Sequence, residues 1–131
     1  MTPQELSEAV TAKADTVWLG LRKSYPKLGG IPRPIIKYNK RLRATAGRAF
    51  YASNPVYIDL STDLLWEHTE EMINQILPHE LAHIAAWIVY RDNGHGRGWK
   101  AVMATLNIPI NRCHTMSNTR HESNKMERLA K

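Results

Sequence analysis

Residues 78 to 87 read PHELAHIAAW, and no other stretch limits the fold as strongly. Proline suits a first helical turn, where its missing N–H would be unpaired anyway. Leu81, Ile84, Ala85, Trp87 and Ile88 then make the segment too apolar for a surface helix, so it belongs in a core. Yet His79, Glu80 and His83 lie within it. A buried pair of imidazoles beside a carboxyl is costly unless a metal or other polar partners satisfy them.

The spacing points to a metal. Histidines four apart differ by about 40° around a helix, so both rings reach one ion. Glu80, in the HExxH pattern, points to a neighbouring direction and suits a general base for a metal-activated water. Zinc is the usual ion for this set, one per chain, because it acidifies water towards a pKa of about 7 and polarises a scissile carbonyl. The plainer alternative is a hydrogen-bonded histidine pair with Glu80 facing solvent. An open catalytic site needs a third ligand. The metzincin pattern fails, because Ala86 and Val89 stand where it has Gly and His. The thermolysin-type pattern needs a downstream Glu, and residues 97 to 111 contain no acid. His95 is the leading choice, since Gly94 and Gly96 let the backbone turn back against the helix. Asp92, His114 and His121 are rivals, and His68 reads as a surface histidine.

The rest of the chain predicts an α+β order. Residues 4 to 24 form an amphipathic helix with Leu6, Val10, Val17, Trp18 and Leu21 on one face. Strands are predicted at Ile35–Tyr38, Ala44–Tyr51 and Val56–Leu60, with a turn at Ser53-Asn54-Pro55, forming a small three-stranded antiparallel sheet. Helix resumes near Thr62 with Ser61 as cap, breaks or kinks at Pro78, runs to about Tyr90, turns at Asp92-Asn93-Gly94 and returns over Trp99–Leu106. The polar tail starts near residue 117. With 131 residues, a single domain is expected, its core about residues 4 to 116.

Charge is unevenly placed along a chain of net charge +6. Residues 33 to 58 carry Arg33, Lys37, Lys40, Arg41, Arg43 and Arg48 and no acid, whereas residues 59 to 90 carry six acids and no Lys or Arg. The basic block suits a phosphate backbone, or simply a solubilising surface. No apolar run is long enough to span a bilayer, the first residues lack a signal-peptide pattern, and Cys113 is alone. A cytoplasmic or nucleoid-associated monomer without membrane contact is therefore expected.

PHELAHIAAW followed by GHGRGWKAVM resembles the SprT-like metallopeptidases, a family that includes bacterial SprT and eukaryotic Spartan. Thr45-Ala46-Gly47 with Val56-Tyr57-Ile58-Asp59-Leu60 resembles the family's strand pair, and Arg112-Cys113-His114-Thr115 its later His-containing segment. The similarity covers roughly residues 30 to 116. It implies a zincin-like α+β peptidase in which His79, His83 and His95 bind zinc and Glu80 is the catalytic base. Spartan-type members cleave proteins trapped on DNA, which would make DNA a partner, single-stranded or at junctions. Many members carry a C-terminal cysteine-rich zinc ribbon; these residues contain none, which weighs on the DNA role more than on the peptidase chemistry.

In zincin-like folds an edge strand pairs with the substrate backbone. The expected strand is Val56 to Leu60, with Val56, Tyr57, Ile58 and His114 as substrate-binding candidates. His114, Arg97 and Tyr57 are candidates for steadying the oxyanion. Trp66, Trp87 and Trp99 read as core or cleft wall. Two readings compete with a DNA-linked peptidase: a nucleic-acid-binding module with a structural metal, and a regulatory peptidase indifferent to DNA.

Overall fold

The computed structural model describes residues 1–108. Helix α1 spans Pro3–Ser24. Thr2 caps it reciprocally: its hydroxyl accepts the Glu5 N–H at 3.1 Å, and the Glu5 carboxylate accepts the Thr2 N–H at 3.2 Å. The predicted apolar face is buried. A 3-10 turn, Pro26–Leu28, leads into the proline-rich segment. The Trp18 indole N–H donates to the Ile31 carbonyl at 3.0 Å and ties that segment back to α1.

Strands β1 (Ile35–Asn39), β2 (Gly47–Phe50) and β3 (Tyr57–Ser61) form one sheet in the order β1-β3-β2. β2 is antiparallel to β3, but β1 is parallel to it. The sheet is mixed, which corrects the antiparallel expectation. β1 and β2 do run in opposite directions, as consecutive strands would, but they do not pair. Residues 40 to 46 carry the chain past the end of β3, where Ser61 donates its N–H to Ala46 at 2.8 Å and its hydroxyl to Leu42 at 2.9 Å. β3 then returns between the other two. It is the most buried strand, with Ile58 and Leu60 in the core, and the centre protects both its edges.

After β3 the Ser61 hydroxyl caps α2 (Thr62–Glu67), accepting the Leu64 N–H at 3.2 Å. The helical path breaks at His68, whose backbone is non-helical, rather than at Pro78. From α3 (Thr69–Glu71) a π-helical turn, Met72–Ile76, continues directly into α4 (Leu77–Tyr90). Pro78 is absorbed because a widened turn precedes it, where its ring and missing N–H disrupt less.

Helix α4 is the centre of the molecule. It packs against α1, α5, β2 and β3. Ala82, Ala85 and Ala86 are fully buried and let those neighbours approach closely. α4 ends at Arg91, which takes a left-handed conformation with φ 58°. Helix α5 (Arg97–Thr105) returns against it through Trp99, Val102 and Met103. No helix among the described residues is long and apolar enough to cross a membrane.

Candidate metal centre

His79 and His83 project from the same side of α4, as their spacing requires. The loop between α4 and α5 brings His95 to them. The three Nε2 atoms lie 3.1, 3.1 and 3.2 Å apart. Zinc–imidazole bonds of about 2.0–2.1 Å in a tetrahedron place ligand nitrogens about 3.3–3.4 Å apart, so the triangle fits such an ion closely. These three residues are the one His/Cys/Asp/Glu group found with metal-binding spacing among the described residues. Burial, then the neighbouring His79 and His95, lower the His83 pKa to about 3. That ring is neutral at ordinary pH, the state in which imidazole is a ligand.

Trp99 is the floor of this site. It is fully buried, and its ring lies 4.9, 5.4 and 4.5 Å from the rings of His79, His83 and His95. It therefore limits the tilt of all three imidazoles at once. Sequence reading made it a core or cleft-wall residue, and it is in the core, against the three histidine rings.

Glu80 is only 8% exposed. Burial pushes its carboxyl from 4.5 up to about 8. Gly47 of β2 sits against it: a Cβ added there would meet Glu80 Cγ and the Asp59 carbonyl oxygen at 3.2 Å and Ile76 Cγ2 at 3.4 Å. Gly47 is the site residue that sequence reading missed. A glycine interrupting a strand pattern is the signal for such close approach.

The expected substrate strand needs correction. β3 has both edges paired, so Tyr57 and Ile58 offer no backbone edge to a peptide, while Val56 precedes the strand and its carbonyl accepts the Ile35 N–H at 3.4 Å. Ile58 is fully buried. Tyr57 alternates to the face opposite that on which Gly47 meets α4, where it stacks on Phe50 at 4.3 Å beneath the Lys37 ammonium. The strand beside α4 is β2. His114 and His121 lie outside the described residues, as do Cys113 and the expected polar tail. Asp92 is no member of the triad and binds backbone N–H groups instead.

The basic block is divided by the fold. Arg33 pairs with Asp15 at 2.7 Å, and Arg48 with the buried Asp59 at 3.0 Å. Lys37 covers Tyr57. Lys40, Arg41 and Arg43 occupy the loop that enters β2, with Lys40 and Arg41 exposed and Arg43 half-buried.

Two histidines from one helix, a third from the following loop and a small mixed sheet alongside frame a candidate metal site. The SprT-like family model matches residues 21–121, and the chain belongs to that family. It is similar to Protein SprT of Escherichia fergusonii, 35% identical over 86% of this chain and 66% of that protein. It is 40% identical to Protein SprT of Photorhabdus laumondii over 63% of this chain and 42% of the relative, and 38% identical to that of Escherichia coli O1:K1 over 67% and 53%. The matched region thus spans from under half to about two-thirds of these relatives. No solved structure matches the chain.

Proposed function

We propose that this chain is a zinc-dependent endopeptidase domain of zincin-like build. The convergence of three histidine Nε2 atoms beside a buried Glu80 carries this reading. His79, His83 and His95 would hold the ion. Bound zinc supplies a Lewis acid that acidifies water and polarises the peptide carbonyl. Glu80 is the general base: it takes a proton from the attacking water and returns it to the departing amine nitrogen. Burial alone would leave Glu80 protonated near neutrality, and a divalent charge nearby favours the carboxylate that a base must be. The edge of β2, Gly47–Phe50, that has no strand partner among the described residues takes the substrate backbone, so selectivity for side chains is weak. Lys40, Arg41 and Arg43, next to that strand, favour proteins associated with or crosslinked to DNA.

Casein cleavage by wild type and Glu80→Gln, with and without single-stranded DNA, tests this. Cleavage that requires Glu80 and rises with DNA supports both parts. Cleavage indifferent to DNA retains the peptidase and removes the DNA role. Equal activity of the two proteins overturns the role of Glu80.

A further inference from the structure

Resting on the metal-site reading above, we infer that Asp92 is the positioning residue for His95, its carboxylate being the internal anchor around which the ligand loop is wound. His95 is the only one of the three histidines outside α4, so its placement depends on residues 91 to 97. Asp92 grips this segment on both sides of His95. One carboxylate oxygen accepts the Gly94 N–H at 2.9 Å, and the other accepts the Trp99 N–H at 3.1 Å. The Gly96 and Gly98 N–H groups also face the carboxylate, and together these donors hold its pKa below the usual range. Charge-assisted bonds of this kind, at the start of α5, are stronger than neutral ones.

Two glycines that follow His95, Gly96 and Gly98, lie close against residues 90 to 92. A Cβ at Gly96 would lie 2.8 Å from Asp92 Oδ2. One at Gly98 would lie 3.0 Å from Asp92 Cβ and 2.7 Å from Tyr90 Cβ. A methyl at Gly96 would therefore push the Asp92 carboxylate aside, and one at Gly98 would press on the Cβ atoms of Tyr90 and Asp92. The backbone of Gly96, at φ −82°, is ordinary for any residue, so it is glycine for space rather than for conformation. The same Asp92 carboxylate fixes the first turn of α5, and with it Trp99, the floor under all three rings. Asp92, weighed as a ligand from sequence, thus acts on the ion's ligand through the backbone.

Zinc affinity, measured by competition with a chromophoric chelator, tests the inference. The proteins compared are wild type, Asp92→Ala, Asp92→Asn, Gly96→Ala and the Asp92→Ala/Gly96→Ala double variant. Far-UV circular dichroism and cooperative unfolding of the metal-free proteins check folding. Loss of the anchor is expected to weaken zinc binding about 10–100-fold, the usual range for groups that orient a ligand. Asp92→Asn, which keeps one acceptor oxygen, should fall between wild type and Asp92→Ala. Gly96→Ala displaces the carboxylate from the other side, so it should weaken binding alone and add little to Asp92→Ala. Folded Asp92→Ala with wild-type affinity, or a Gly96→Ala cost that adds in full, would overturn the anchor. Wild type that binds no zinc would instead overturn the metal reading itself.

Discussion

Glu80 makes the metal-free protein lose stability as pH rises, over a range where most proteins gain or hold it. Its carboxyl is raised by burial from 4.5 to about 8. Between those values the folded chain holds a proton that the unfolded chain has released, so stability falls with rising pH. One such proton costs at most about 1.4 kcal/mol per pH unit, and about 1.6 kcal/mol from pH 6.5 to 8 because the slope halves at the folded pKa. His83 acts at the other end. Its pKa is lowered from 6.5 to about 3, so its stabilising effect is present above pH 6.5 and fades as pH falls towards 3. Between pH 6.5 and 8 the His83 contribution is small, and comparison with Glu80→Gln cancels it. Urea unfolding in excess chelator at pH 6.5, 7.25 and 8 measures the slope, with Glu80→Gln as the reference that lacks the proton. The two proteins should diverge by about 1.6 kcal/mol across the range, wild type becoming the relatively weaker. Parallel stability curves would refute the reasoning, showing that Glu80 is hydrated or partnered well enough to ionise freely.

Trp99→Ala removes a fully buried ring that floors the three imidazoles, and denaturant unfolding should show a loss of about 3–5 kcal/mol together with weaker zinc binding. Gly47→Ala puts a methyl 3.2 Å from both Glu80 Cγ and the Asp59 carbonyl oxygen, so peptidase activity should fall more than zinc content; unchanged activity would mean that β2 yields easily. Ser61→Ala leaves the Leu64 N–H and the Leu42 carbonyl without their side-chain partner and should cost about 1–2 kcal/mol in urea unfolding. Reversing Lys40, Arg41 and Arg43 to Glu should abolish stimulation of cleavage by single-stranded DNA, and intact stimulation would place nucleic acid elsewhere.

The helices were legible because their signals are local. α1 carries a capping Thr2, a first-turn proline and an unbroken apolar stripe, and α4 announces itself through HExxH among apolar residues. The turn at Asp92-Asn93-Gly94 and the approach of His95 to the two α4 histidines were also legible in short-range chemistry. Strand pairing did not. Nothing local in Ile35–Asn39 says that β3 will lie between it and β2, because that depends on a loop held by Ser61, a residue more than twenty positions further along the chain at the end of β3. The assignment of Val56–Ile58 as a substrate edge failed for that reason. Pro78 misled as well, since the π-helical turn that accommodates it has no clear sequence mark. The basic block looked uniform in sequence, but Arg33 and Arg48 are committed to Asp15 and Asp59, one distant along the chain and one across the sheet.

Zinc stoichiometry tests the central claim most directly. Elemental analysis of wild type, Glu80→Gln and His95→Ala after dialysis against limiting zinc should give one equivalent for the first two proteins. His95→Ala should retain clearly less. Wild type that carries no zinc, or His95→Ala that retains a full equivalent, would contradict a metal centre built from His79, His83 and His95.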